Sequence, residues 1–64
     1  MTKYQEKMAK RELGTSEWYY IGDTEDGKSK VYQTEAGDMF ATGMEDDRIS
    51  FEVYTNDDGE FLAY

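Results

Sequence analysis

The chain has 64 residues, 7 Lys or Arg against 15 Asp or Glu, a formal net charge of -8, and no His, Cys or Pro. That composition removes Ser-His and Cys-His nucleophile pairs, an imidazole base, structural zinc and disulfide bridges. A phosphate backbone or an anionic membrane surface repels so acidic a chain, so no direct nucleic-acid or membrane contact is expected and the partner should be basic or neutral.

Residues 1–14 read as a helix. Thr2 and Gln5 have capping-box spacing, residues 3 to 13 are strong helix formers with no β-branched residue, and Gly14 is placed to end the run in the left-handed region. At about 100° per residue Met1, Tyr4 and Met8 share one narrow sector, while Lys3, Lys7 and Lys10 share another with Arg11 at its margin. So short a helix needs a support, and Tyr4 and Met8 are expected to lie on the rest of the chain.

From Thr15 to Tyr64 the period changes to two. Glu17 to Gly22, Lys28 to Thr34, Asp38 to Gly43, Ile49 to Thr55 and Glu60 to Tyr64 read as strands rich in aromatic and β-branched residues. Asp26-Gly27 and Asp58-Gly59 supply tight turns, Ala36-Gly37-Asp38 another, and Glu45-Asp46-Asp47 a polar connection. The strand from Ile49 alternates most clearly, with Ile49, Phe51 and Val53 on the face expected under the helix. The predicted fold is α+β in one domain over residues 1–64: a short N-terminal helix on a four- to five-stranded antiparallel sheet, either a meander or a small curled barrel. The final strand ends on Phe61-Leu62-Ala63-Tyr64 and, at a sheet edge, is a candidate for homodimerisation by strand pairing.

Leu, Ile, Val and Phe total only nine residues, a share that beside so high a charge is ordinarily read as disorder. Ten aromatic residues recurring at period two between turn signals point instead to a small sheet with an aromatic core. With no 18-residue apolar run and no charged-then-apolar leader, a cytoplasmic protein is expected, in the host cytoplasm if the chain is phage-encoded.

The charge is uneven. Residues 1–13 carry a net +2 and residues 14–64 a net -10. Alternate turns of a meander lie at opposite ends, which groups Asp23, Glu25, Asp26, Glu45, Asp46 and Asp47 at one pole and Glu35, Asp38, Asp57, Asp58 and Glu60 at the other. A compact chain of this length is roughly 28 Å across, and duplex DNA of that length carries about 16 phosphates. Thirteen carboxylates form a comparable field. Two explanations compete: mimicry of nucleic-acid charge toward a nucleic-acid-binding protein, or turn chemistry and solubility, which alone account for Asp26, Asp38 and Asp58. In style the chain is similar to the compact, acidic, His- and Cys-free inhibitors that phages and mobile elements direct against host nucleases, polymerases or defence complexes.

Other chemistry is less well served. Neither Asp-Gly fits the spacing of an EF-hand loop, and a carboxylate pair for glycoside hydrolysis needs a water-excluding cleft that so short a chain rarely encloses, so no metal, cofactor or catalytic residue is assigned. Trp18, Tyr19, Tyr32 and Tyr54 are candidates for an aromatic surface that takes a cationic or proline-rich peptide, or else they are core. The functional expectation is a non-enzymatic binding protein: an inhibitor acting by charge mimicry through Asp23, Glu25, Asp26, Glu45, Asp46, Asp47, Asp57 and Asp58 or, alternatively, an interaction module that recognises a peptide or subunit through an exposed aromatic face.

Overall fold

Thr2 opens the helix α1 (Lys3–Leu13) with the full reciprocal cap: its hydroxyl accepts from the Gln5 amide at 3.1 Å, and Gln5 Oε1 accepts from the Thr2 amide at 2.8 Å. Gly14, in the left-handed region at φ 68°, closes it and donates its N–H to the Lys10 carbonyl. The computed structural model describes residues 1–64, and six strands come after the helix: β1 (Trp18–Asp23), β2 (Ser29–Thr34), β3 (Met39–Gly43), β4 (Ile49–Ser50), β5 (Val53–Thr55) and β6 (Phe61–Ala63). The first four form an antiparallel sheet in the order β1-β2-β3-β4, and β5 and β6 form a separate hairpin. The fold class expected from the sequence is the one observed, with the sheet open rather than closed.

The strand expected over Ile49 to Thr55 is broken in two. Ile49 and Ser50 pair with β3, the chain leaves the ladder at Phe51 and Glu52, and Val53–Thr55 pairs with β6. Ser50 Oγ accepts the Glu52 amide at 3.2 Å and donates to the Tyr64 carbonyl, while Tyr64 returns its N–H to the Glu52 carbonyl at 2.9 Å. A side-chain hydroxyl thus replaces the ladder at the corner, and one chain passes from one sheet to the other there. The alternation of Ile49, Phe51 and Val53 therefore does not continue on a single face.

Register defines the two faces of the main sheet. Trp18 lies opposite Thr34, Tyr20 opposite Tyr32, Tyr32 opposite Phe40 and Thr42 opposite Ile49, so these seven residues share a face. Gly22, Val31, Ala41 and Ser50 share the other, beyond a bulge between Tyr20 and Gly22. Phe40, fully buried, is the hub of the first face: Trp18 meets it edge-on at 5.4 Å, Tyr32 stacks at 5.5 Å and Phe51 lies at 6.1 Å. Val31 and Ala41 are the buried pair of the second.

Each face has its own cover. The hairpin closes on the second: Phe61 comes so near Gly22 that a Cβ there would lie 3.0 Å from its ring, and Ala63 shares a small cavity with Ala41 and Ser50. A single parallel bridge from Thr24 to Phe61 ties hairpin to sheet, with the Glu25 N–H donating to the Phe61 carbonyl at 2.8 Å. The helix lies along the first. Its start is pinned at the β3–β4 connection, where Gln5 Nε2 donates to the carbonyls of Gly43, Asp46 and Arg48 at 3.2, 3.0 and 2.9 Å, and at its far end Leu13 lines a shallow depression with Thr34 and Glu35. Eleven helical residues, roughly 16 Å, match the length of a five-residue strand.

The helix is not seated as its apolar pattern predicts. Gln5 and Ala9 are its buried residues, Met8 is half-buried and Tyr4 is exposed. The small Ala9 permits close approach. The amide of Gln5 is fully satisfied by cap and carbonyls, so burying it carries no orphan donor.

Candidate functional site

The aromatic residues divide by burial into a structural set and a surface set. Trp18, Tyr32, Phe40 and Phe51 build the core under the helix, with Trp18 and Tyr32 half-buried. Tyr4, Tyr19, Tyr20, Tyr54 and Tyr64 are exposed. The four rings singled out from the sequence therefore do not form one cage: Trp18 and Tyr32 line the core, Tyr19 faces away from them across β1, and Tyr54 belongs to the second sheet.

At two places an exposed ring meets another ring. On the main sheet Tyr20 sits opposite Tyr32, centroids 6.0 Å apart, and its hydroxyl donates to Asp23 Oδ1 at 2.6 Å. That bond, then partial loss of water and the negative charge of Asp23, hold the Tyr20 pKa above the ordinary tyrosine value. On the hairpin, Tyr54 pairs directly with Leu62, which puts Tyr64 diagonally across on the same outer face. Tyr54 and Tyr64 meet edge to face at 5.4 Å and are 54% and 72% exposed. In the sequence Tyr64 reads as part of the terminal pairing strand and not as a ring of the aromatic surface; the Asp58-Gly59 turn, by setting the hairpin register, is the signal that pairs it with Tyr54.

The rings are held by local bonds. Asn56 Oδ1 takes the amides of Asp58 and Glu60 at 3.0 and 2.8 Å and shapes the β5–β6 turn. The β1–β2 turn is organised in the same way: Asp26 Oδ1 accepts the Thr24 hydroxyl at 2.7 Å and the Lys28 amide at 2.9 Å. The Lys28 N–H first, and the Thr24 hydroxyl second, hold the Asp26 carboxyl below the ordinary carboxylate value.

Several predicted acidic residues are thus already used by the fold. Asp23 binds Tyr20, Asp26 shapes its turn, and Asp46 Oδ1 accepts the Arg48 amide at 3.0 Å while lying against Gly43, where a Cβ would come within 1.9 Å of it. The β1–β2 turn and the β3–β4 connection do lie together, joined by the Met44 N–H to the Lys28 carbonyl at 3.0 Å. The depression between them, however, is lined by Lys28 and Arg48 as well as Glu45 and Asp46. Glu25, Glu45 and Asp47 are exposed nearby, and Asp57 and Asp58 project from the hairpin turn, which belongs to a separate sheet rather than to the end of one meander. No group of three carboxylates is arranged to hold a metal ion, and no helix is long and apolar enough to cross a membrane.

A cleft lies beside the hairpin. It measures about 380 Å³ between Thr24, Glu25 and Asp26 on one wall and Phe61 to Tyr64 on the other. Comparison with protein-family models, curated proteins and solved structures returns no match.

Proposed function

We propose that this small domain is a non-enzymatic interaction module that holds a partner protein through its exposed aromatic rings, foremost Tyr54 and Tyr64 with Leu62 between them. The observation that carries this reading is the edge-to-face pair standing 54% and 72% exposed on the outer face of the hairpin. Rigid tyrosines on a strand present large apolar area with a polar tip and lose little side-chain entropy on binding, which is why such rings dominate contact energies. With ten aromatic residues and so few aliphatic ones, leaving two rings in water costs core that this chain could otherwise use.

The surrounding charge favours a basic partner. Inhibition of a nucleic-acid-binding host or defence protein by charge mimicry is the narrower reading; its support is the net charge of -8, while Asp23, Asp26 and Asp46 each give one carboxylate oxygen to a local bond and Lys28 and Arg48 interrupt the acidic pole.

Affinity capture from lysate with the parent protein, with Tyr54→Ala and with Tyr20→Ala, at low salt and at about 0.5 M salt where charges are screened within roughly 4 Å, separates these. The module reading expects a protein retained at high salt and lost from Tyr54→Ala. Equal capture by all three proteins rejects the module reading, and capture abolished by salt but indifferent to both rings restores mimicry.

A further inference from the structure

The hairpin has one edge that is only partly used. Hydrogen bonds from the Tyr64 N–H to the Glu52 carbonyl and from the Asn56 N–H to the Glu60 carbonyl, both 2.9 Å, set the phase of the β5–β6 ladder. With Tyr54 opposite Leu62, the alternation points the backbone of Leu62 at β5 and that of Phe61 and Ala63 away from it. The Phe61 carbonyl is taken by the Glu25 N–H. The β1–β2 turn then bends off, Gly27 donating back to the Thr24 carbonyl at 2.9 Å, so the strands splay after a single bridge. Ala63 is the backbone unit left facing the cleft that this splaying opens.

The walls of the cleft say what fits it. Phe61, Ala63 and Tyr64 offer apolar surface on one side, and Glu25 and Asp26 offer carboxylates on the other. An extended segment gains main-chain hydrogen bonds from an open strand edge and specificity from alternate side chains. Lys or Arg at those alternate positions would meet Glu25 and could lie over the exposed ring of Tyr64.

We propose that a partner protein inserts an extended, Lys- or Arg-bearing segment into this cleft as an added strand on β6. The inference rests on the interaction-module reading and names the kind of segment bound. A second copy of the chain is the poorer occupant: pairing β6 with β6 would bring the Glu25 and Asp26 of each copy toward those of the other, on bodies that each carry -10 over residues 14–64.

The probe is an acetylated, amidated Arg-Val-Arg-Val-Arg peptide titrated into the isotope-labelled protein and followed by amide NMR. Controls are Glu-Val-Glu-Val-Glu and a form of the basic peptide N-methylated along one edge. Shifts should concentrate at Glu25 and Phe61 to Tyr64, and the Ala63 amide should exchange about tenfold more slowly at saturation. N-methylation should abolish binding, and the exposed Glu25→Lys variant should weaken it about tenfold. Equal binding of the acidic peptide, shifts confined to Tyr20 and Tyr32, no binding, or concentration-dependent self-association through Ala63 in place of peptide binding would each overturn the proposal. The two readings fail separately: ring-dependent capture that survives Glu25→Lys, with no shift at Ala63, keeps the module and removes the cleft, whereas loss of both removes both.

Discussion

Strands β2 and β3 hold most of the buried residues, covered by the helix on one side and the hairpin on the other with only Lys30 exposed, whereas β5 and β6 turn Val53, Phe61 and Ala63 toward the sheet and leave Tyr54, Leu62 and Tyr64 outward. The residue types are much alike in the two pairs. In the inner pair an aromatic ring is a packing element: Phe40 has three rings around it and no exposure. In the outer pair the same chemistry supports little of the fold and is available to a partner. Position relative to the covering layers, and not residue identity, separates structural from exposed aromatics here.

Phe40→Ala is the most severe way to test that contrast. Removing the hub leaves a cavity among Trp18, Tyr32 and Phe51, and a loss of about 3–5 kcal/mol is expected, which in so small a domain leaves little folded population by thermal or urea unfolding. Gly43→Ala should come next. The new methyl must displace the Asp46 carboxylate that accepts the Arg48 amide, beside the carbonyl that Gln5 holds, at about 1–3 kcal/mol. Gln5→Ala should cost a similar ~1–3 kcal/mol, because it strips the donor from the Gly43, Asp46 and Arg48 carbonyls together and opens the helix cap.

On the outer pair the effect should shrink. Tyr54→Ala is expected to change stability by no more than about 0.5–1 kcal/mol while removing partner capture, so that stability and binding part company at this residue. A Tyr54→Ala protein as unstable as Phe40→Ala would erase the distinction between the pairs.

The smallest effects are in the pH profile. Asp26 has its carboxyl depressed below the ordinary 3.8, so its contribution is present above that value and is lost as pH falls through the lower folded value; Asp26→Asn should flatten the acid limb. Tyr20 is raised above the ordinary 10.0, so the stability linked to its proton is present below that value and is lost as pH rises through the higher one. Tyrosinate absorbance should show Tyr20 titrating late, and Asp23→Ala should return it toward the ordinary range.

Much of this was legible in local sequence because the physics is local. The Thr2-Gln5 cap, the Gly14 stop and the turns at Asp26-Gly27 and Asp58-Gly59 depend on bonds within a few residues, and each forms as the spacing predicts. What sequence periodicity misread were the places where a polar side chain outcompeted an apolar pattern. Tyr4 and Met8 define the apolar stripe of α1, yet Gln5 seats the helix because three converging carbonyls satisfy its amide. Ile49, Phe51 and Val53 alternate without interruption, yet Ser50 breaks the ladder by bonding Glu52 and Tyr64 from across the chain.

The acidic count and the ten aromatics are facts of composition, and they determined that any core would be aromatic and that the body would carry charge -10 beside a +2 helix. Only the tertiary structure decided which rings and which carboxylates remain free. Burial depends on what packs over a face, and here both covers arrive from distant sequence: residues 3 to 13 over one side of the sheet, and residues 53 to 63 over the other.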